Sequence, residues 1–228
     1  MRLRIIFPSS RAGYTDVEVA RRNAALSRHC GPDTTLEFVY PPEGGTFKMG
    51  LTIEDFEPMI PHFVAGARQA EADGCDAYMI HCVYDPGIEE ARAAVRIPVV
   101  GFGQSTFQTA VQIAPRFGLI SPNDALTETA LRILDRIGLR DRLVHAEPLN
   151  IELPEAHRRL DELRERGVAI AQRARERGAG VVIPFGLALV PAHLPTEVIR
   201  AGAGIPVLNP AELGIRHAEI IMAALRQQ

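Results

Sequence analysis

Ala70–Gly101 read AEADGCDAYMIHCVYDPGIEEARAAVRIPVVG, while Arg173–Gly186 and Gly204–Asn209 read RARERGAGVVIPFG and GIPVLN. Both stretches follow one order: a helix end, a glycine, a short apolar strand, a connecting helix, then Ile-Pro-Val and another strand. Laid together without gaps from Gly74 and Gly178, Cys82 falls on Gly186. Ile97-Pro98-Val99 then meets Ile205-Pro206-Val207 after a four-residue insertion. Strands that alternate with helices in this way build βαβ units and parallel sheets. The expected fold is therefore α/β, with two similar lobes of parallel β-sheet flanked by helices. A pseudo-twofold axis is expected to relate the lobes, with the active site in the cleft between them. Residues 1–115 are expected to form the first lobe and 116–210 the second, with helix 211–228 packing back on the first.

The rest of the chain fits this scheme. Candidate strands are Leu3–Phe7, Thr35–Tyr40, Ala77–Cys82, Val99–Gly101, Gly118–Ser121, Leu143–Glu147, Val181–Pro184 and Val207–Asn209. Candidate helices are Asp16–Arg28, Ile53–Asp73, Pro86–Val95, Asp124–Ile137, Glu155–Arg177 and Ala211–Arg226. The last carries Leu213, Ile220, Ile221 and Leu225 as a one-sided apolar stripe. Ser121-Pro122-Asn123-Asp124 predicts an N-cap serine, a proline at the first helical position and an acid in the first turn. Such a start either ends a loop or binds an anion.

Composition narrows the function classes. The chain has 228 residues, 46% hydrophobic and 23% charged, with a net charge of −3 and no basic run, which disfavours nucleic acid as a partner. No apolar run approaches the roughly 20 residues that span a bilayer, so no membrane association is expected. The N-terminal MRLRIIFPSS is too short in its apolar part for an export signal and reads as a first strand. Three cysteines without framework spacing fit a reducing cytoplasm. The seven histidines are scattered, none paired at metal-ligand spacing, so no metal is expected. Gly44-Gly45 and Gly101-x-Gly103 fall short of a dinucleotide fingerprint, and no cofactor is expected.

Cys82 ends a buried strand just before a turn, at the strand end where ligands bind in open parallel sheets. Helix N-termini lower thiol pKa values, so Cys82 followed by Val83-Tyr84-Asp85-Pro86-Gly87 reads either as an activated thiolate or as an inert core cysteine. Cys30 and Cys75 read as structural. His81 points to the other sheet face from Cys82 and reads as a packed histidine. Asp85 with Pro86 reads as a helix cap, and Tyr84 as either a cover over a ligand or a turn filler. The run Arg158–Arg166 reads as a solvated helix face.

The Cys82-x-x-Asp85-Pro86-Gly87 turn, the Ile-Pro-Val-Val-Gly-Phe-Gly run at 97–103 and the two-lobe repeat resemble the aspartate/glutamate racemase superfamily, nearest its hydantoin racemase branch. In that family two cysteines, one per lobe, exchange protons on opposite faces of an acidic carbon without cofactor. The resemblance implies that Cys82 is the first of them. It also implies that Ser9, Ser10, Val83, Tyr84, Ser121 and Asn123, with Gly186 and Leu187 in the second-lobe loop, hold the substrate's carboxylate or ring carbonyl. The substrate implied is a small carboxylate or a hydantoin-like cyclic amide, and a homo-oligomer is compatible with the apolar helix faces. Three departures stand out. Phe7-Pro8-Ser9-Ser10 replaces the branch's Asn-Pro-Asn, Gln104 stands where glutamate is common, and Gly186 replaces the second cysteine.

One thiol leaves three mechanisms open. It can protonate one face of an enolate formed by decarboxylation, as an arylmalonate-type decarboxylase does. It can add to a double bond and leave again, as in maleate isomerase. Or it can be half of a racemase whose second acid/base is another residue, His193 or Tyr14 being candidates. The leading expectation is a racemase/isomerase-type enzyme. A small-ligand binding protein that has lost turnover is the alternative of another class.

Overall fold

A computed structural model describes residues 1–8, 10–11, 15–41, 53–151, 153–156, 158–187 and 193–226, with the side chains of residues 53, 54, 153 and 154 left out. The chain divides into two units: Met1–Lys48, Ile53–Ser105 and Ala211–Gln228 in the first, Met49–Thr52 and Thr106–Pro210 in the second.

In the first unit β1 (Arg2–Ile6) lies between β2 (Thr35–Val39) and β3 (Ala77–Ile80), all parallel, in the order β2-β1-β3. All of β3 is buried, as expected for a strand covered on both faces. Adjacent side chains of β3 identify the two covers. The Tyr78 hydroxyl donates to the Phe63 carbonyl of α3 (Ile60–Ala72) at 2.9 Å. Met79 instead reaches α10 (Pro210–Leu225), where a Cβ on Gly214 would lie 2.9 Å from its terminal methyl. Successive strand residues face opposite sides, so α3 and α10 cover opposite faces of this sheet. The unit also holds α1 (Asp16–Ser27), the short α2 (Ile53–Phe56) and α4 (Ile88–Ala94). Helix α5 (Phe102–Ile113) begins in the first unit and ends in the second.

The second unit repeats the plan. Strand β4 (Phe117–Ser121) lies between β5 (Leu143–Pro148) and β6 (Val181–Pro184), again parallel, in the order β5-β4-β6. Its helices are α6 (Asp124–Arg136), the short α7 (Leu153–Ala156), α8 (Leu160–Glu176) and α9 (Thr196–Ala203). Leu163, Ile170, Ala171 and Ala174 of α8 bury a stripe against Ile120, Val182 and Ile199. At the start of α8 the expected charged face is present: Arg159, just ahead of the helix, pairs with Glu155 of α7 at 3.0 Å and with Glu162 at 2.7 Å, and Glu162 also pairs with Arg166 at 2.7 Å.

The internal repeat is realised hydrogen bond for hydrogen bond. Tyr78 N–H donates to Pro98 O (2.9 Å) and Val100 N–H to Tyr78 O (2.9 Å). Val182 N–H donates to Pro206 O (3.0 Å) and Leu208 N–H to Val182 O (3.0 Å). His81 N–H bonds Ile6 O at 2.8 Å, and Phe185 N–H bonds Ile120 O at 2.6 Å. Tyr78 with Val182 and His81 with Phe185 follow the gapless alignment from Gly74 and Gly178, and the Ile-Pro-Val partners follow it after the four-residue insertion, so Cys82 and Gly186 are equivalent positions.

Several elements differ from the sequence reading. The expected strands at Val99–Gly101 and Val207–Asn209 are single bridges, Tyr78 with Val99 and Val182 with Val207. The expected helix over Ile53–Asp73 breaks into α2, a 3-10 turn Glu57–Met59 and α3. Pro58 and Pro61 lack the N–H and crowd the preceding turn, so the helix restarts at each. Glu155–Arg177 likewise divides between α7 and α8.

Candidate functional site

The expected site residues that are described lie on loops at the C-terminal ends of strands: Ser10 after β1, Cys82, Val83 and Tyr84 after β3, Ser121 and Asn123 at β4, Gly186 and Leu187 after β6. Ser9 and Tyr14 lie outside the described residues. His193 is half-buried ahead of α9.

The Cys82 turn is tightly determined. Strand β3 ends at Ile80, and Cys82 N–H bonds Ile80 O at 2.7 Å. Asp85 N–H then donates to Cys82 O at 3.2 Å, closing a turn in which Asp85 adopts a left-handed φ of 47°. Non-glycine residues hold that conformation only where their surroundings enforce it. Here the enforcement is the Asp85 side chain, 6% exposed, whose carboxylate accepts from Gly103 N–H (3.2 Å) and Gln104 N–H (2.8 Å), with Phe102 N–H also hydrogen-bonded to it. These are the unsatisfied donors of the first turn of α5. Asp85 therefore caps α5 and not the helix that follows it in sequence, which starts only at Ile88 behind a left-handed Gly87.

Glycines make this approach possible. A Cβ on Gly103 would lie 2.0 Å from Val83 O, and one on Gly101 would lie 2.4 Å from Asp85 Oδ2. The Gly101-Phe102-Gly103 run is thus the seat of the Cys82 loop. In sequence the run reads only as an incomplete dinucleotide motif. The available signal was an acid in the cysteine turn together with a Gly-x-Gly opening a helix.

Of the two readings of Cys82, the thiol's electrostatics favour the protonated core cysteine over the activated thiolate. Cys82 is 7% exposed, and burial pushes its pKa up to about 12; the Tyr84 N–H aimed at the sulfur opposes this and the Asp85 charge adds to it. The expected helix N-terminus is absent, because α4 begins six residues beyond Cys82 and has only seven residues. Cys82 is thus a thiol at neutral pH, and ionising it there costs about 7 kcal/mol. His81 lies against Phe7 (centroids 4.3 Å apart) and edge-on to Phe102 (5.9 Å), and burial lowers its pKa to about 3, so it is neutral. Tyr84 is buried and stacks on Phe56 at 6.3 Å. Cys75 is buried with its thiol on Glu37 Oε2 at 3.5 Å, and burial raises it as well.

In the second unit the N-cap of α6 is Asn123, whose Oδ1 accepts from Leu126 N–H at 2.9 Å, and not Ser121 as the sequence predicted. Ser121 is the last residue of β4, fully buried, and its hydroxyl pairs with that of Thr127. Pro122 follows it, and a Cβ on Gly186 would lie 2.8 Å from Pro122 Cγ. The position equivalent to Cys82 is therefore packed against a proline ring.

Asp85 carries a stability consequence. Burial raises its pKa from 3.8 to about 7, the α5 N–H groups and Arg92 opposing. The folded state therefore holds this proton more tightly than the unfolded chain. Its contribution is complete below pH 3.8 and lost as pH rises through about 7, at most about 4 kcal/mol. Lowered histidines such as His145 and His217 act in the opposite sense, so the variant difference is the informative quantity. Asp85→Asn should gain stability relative to the parent between about pH 5 and about pH 8 in urea titrations. A pH-independent difference would refute the buried, proton-holding carboxyl.

Among the described residues no group of three or more His, Cys, Asp and Glu side chains could hold a metal ion, and no helix is long and apolar enough to cross a membrane. The chain is 27% identical to the hydantoin racemase of Pseudomonas sp. (strain NS671) over 97% of this chain and 86% of that one. Its fold is similar to that of allantoin racemase from Klebsiella pneumoniae, with a TM-score of 0.82 and 19% identity over 98% of this chain and 88% of the other. It is also similar to the Gly74Cys mutant of arylmalonate decarboxylase, with a TM-score of 0.69 and 16% identity over 98% and 94%. A family model for Asp/Glu/Hydantoin racemase matches residues 8–218. With nearly its whole length matched and both parallel sheets in place, the chain belongs to the Asp/Glu/Hydantoin racemase family.

Proposed function

We propose that this protein is a cofactor-independent racemase/isomerase-type enzyme that moves a proton at the acidic carbon of a small hydantoin-like cyclic amide or carboxylate, with Cys82 as the proton carrier. The observation that carries this reading is the pair of equivalent strand-end positions, one holding a buried thiol and the other Gly186. Held as a thiol, Cys82 performs donation directly: its S–H bond breaks, a C–H bond forms at the carbanion, and the sulfur is left as thiolate facing the Tyr84 N–H. In the reverse direction the thiolate takes the proton back. On the first unit, the loops carrying Ser9, Ser10, Val83 and Tyr84 are the proposed holders of the substrate's oxygens, mainly through backbone N–H groups. The other face of the carbon is served by a group that is not a thiol, because position 186 supplies none.

The test is incubation of an enantiopure, singly substituted hydantoin in deuterated water. Loss of optical purity with deuterium entering the acidic carbon supports the racemase reading. Binding without exchange would replace it with a ligand-binding role.

A second reading rests on the protonated thiol and the packed Gly186, both of which suit one-sided protonation. In it, Cys82 delivers a proton to one face of an enolate left by decarboxylation of a malonate-type substrate, yielding one enantiomer. The packing at position 186 is itself testable. Gly186→Cys should destabilise the fold by about 1–3 kcal/mol, as overpacking does, and a Pro122→Ala background should recover part of the loss in thermal melts. A single variant that melts like the parent would show that the proline is no obstacle to a second cysteine.

A further inference from the structure

Asp85 has no assigned part in the chemistry, yet it joins three features of the Cys82 loop. Its N–H closes the turn on Cys82 O, and its carboxylate is fastened to the first turn of α5. Its left-handed backbone sets the direction of the preceding residues, among them Tyr84, whose N–H faces the sulfur. We propose that Asp85 is the positioning residue of Cys82, pinning the Cys82–Asp85 turn onto α5 and setting its own carboxyl group beside the thiol. This inference rests on the reading of Cys82 as the proton carrier.

The groups around Asp85 support the assignment. On its own loop it faces Cys82, where its charge opposes formation of the thiolate. From α4 comes Arg92, which favours the Asp85 carboxylate. The Arg92 guanidinium is spread over three further acceptors: Val99 O (3.0 Å), Glu89 Oε1 (2.9 Å) and Gln104 Oε1 (2.8 Å). From α5 come the N–H groups of Phe102, Gly103 and Gln104. At the sulfur, burial acts most strongly, the Tyr84 N–H opposes it, and the Asp85 charge adds to it. Burial raises Asp85 to about 7, and its charge therefore grows in as the medium passes neutrality.

The test is the pH dependence of Cys82 alkylation by iodoacetamide, read peptide by peptide so that Cys30 and Cys75 are separated. For an isolated thiol well below its pKa, the rate rises tenfold per pH unit. In the parent chain the rise should be flatter than this between about pH 6 and about pH 8, as the growing Asp85 charge holds the proton on sulfur. Asp85→Asn keeps an acceptor for α5 and removes the charge. It should restore the full tenfold slope and react at least about tenfold faster at about pH 8. Asp85→Ala removes the anchor as well, and should cost hydantoin exchange about a hundredfold beyond Asp85→Asn. Should Asp85→Ala not fold, the alkylation slopes of the parent and Asp85→Asn decide alone. Identical slopes in those two chains would overturn the proposal, leaving Asp85 a structural cap. If the parent shows no turnover on any hydantoin, the reading of function fails, while the alkylation slopes still judge Asp85.

Discussion

Cys82→Ser should lower hydantoin exchange by about a thousandfold or more, within the range that a positioned acid/base supplies. A serine hydroxyl at this site would be isosteric enough to keep the turn, yet far less acidic than even the raised thiol. Because Cys82 is buried, the substitution places a hydroxyl in an apolar site and should cost about 1–3 kcal/mol, short of unfolding the chain. The measurement is deuterium entry at the acidic carbon alongside a thermal melt. Retained exchange in a folded Cys82→Ser chain would remove the thiol from the mechanism.

Gly103→Ala should be the most damaging single methyl group in the first unit. Its Cβ would lie 2.0 Å from Val83 O and 3.0 Å from Asp85 Oδ2. A backbone carbonyl cannot swing aside as a flexible side-chain end can, so either α5 or the Cys82 turn must move. The expected cost is about 3 kcal/mol or more, at the upper end for overpacking. Displacing the sulfur by about 1 Å should further lower turnover about a hundredfold. Denaturant titration and exchange kinetics read the two effects separately. A fully stable, fully active Gly103→Ala chain would mean that the loop does not sit on α5 as described.

The repeat was readable because periodicity and the Ile-Pro-Val signature are local. The gapless match of Gly74 with Gly178 carried straight through to equivalent hydrogen bonds and to the pairing of Cys82 with Gly186. What escaped sequence reasoning depended on distant partners. Helix α5 reads FGQSTFQTAVQI, with glycine, serine, threonine and valine of modest helix propensity, and its cap comes from Asp85 on another loop. The proline breaks at Pro58 and Pro61 were in plain view, but the apolar pattern of residues 53–73 overrode them. In sequence Cys82 reads either as an activated thiolate or as a core cysteine, because a following helix can be seen there and depth of burial cannot. Burial outweighs the helix here, and burial is a property of the packed chain. In sequence Ser121 ahead of Pro122 reads as the cap, but Asn123 stands three residues before Leu126 and its side chain accepts that N–H.

Cys82 as the acting thiol is tested most directly by a chain in which Cys30 and Cys75 are both serine, assayed for deuterium entry at the acidic carbon of a hydantoin. The account predicts exchange within about threefold of the parent, and its collapse on adding Cys82→Ser. Exchange that vanishes with Cys30 and Cys75, or that survives the loss of Cys82, would contradict it.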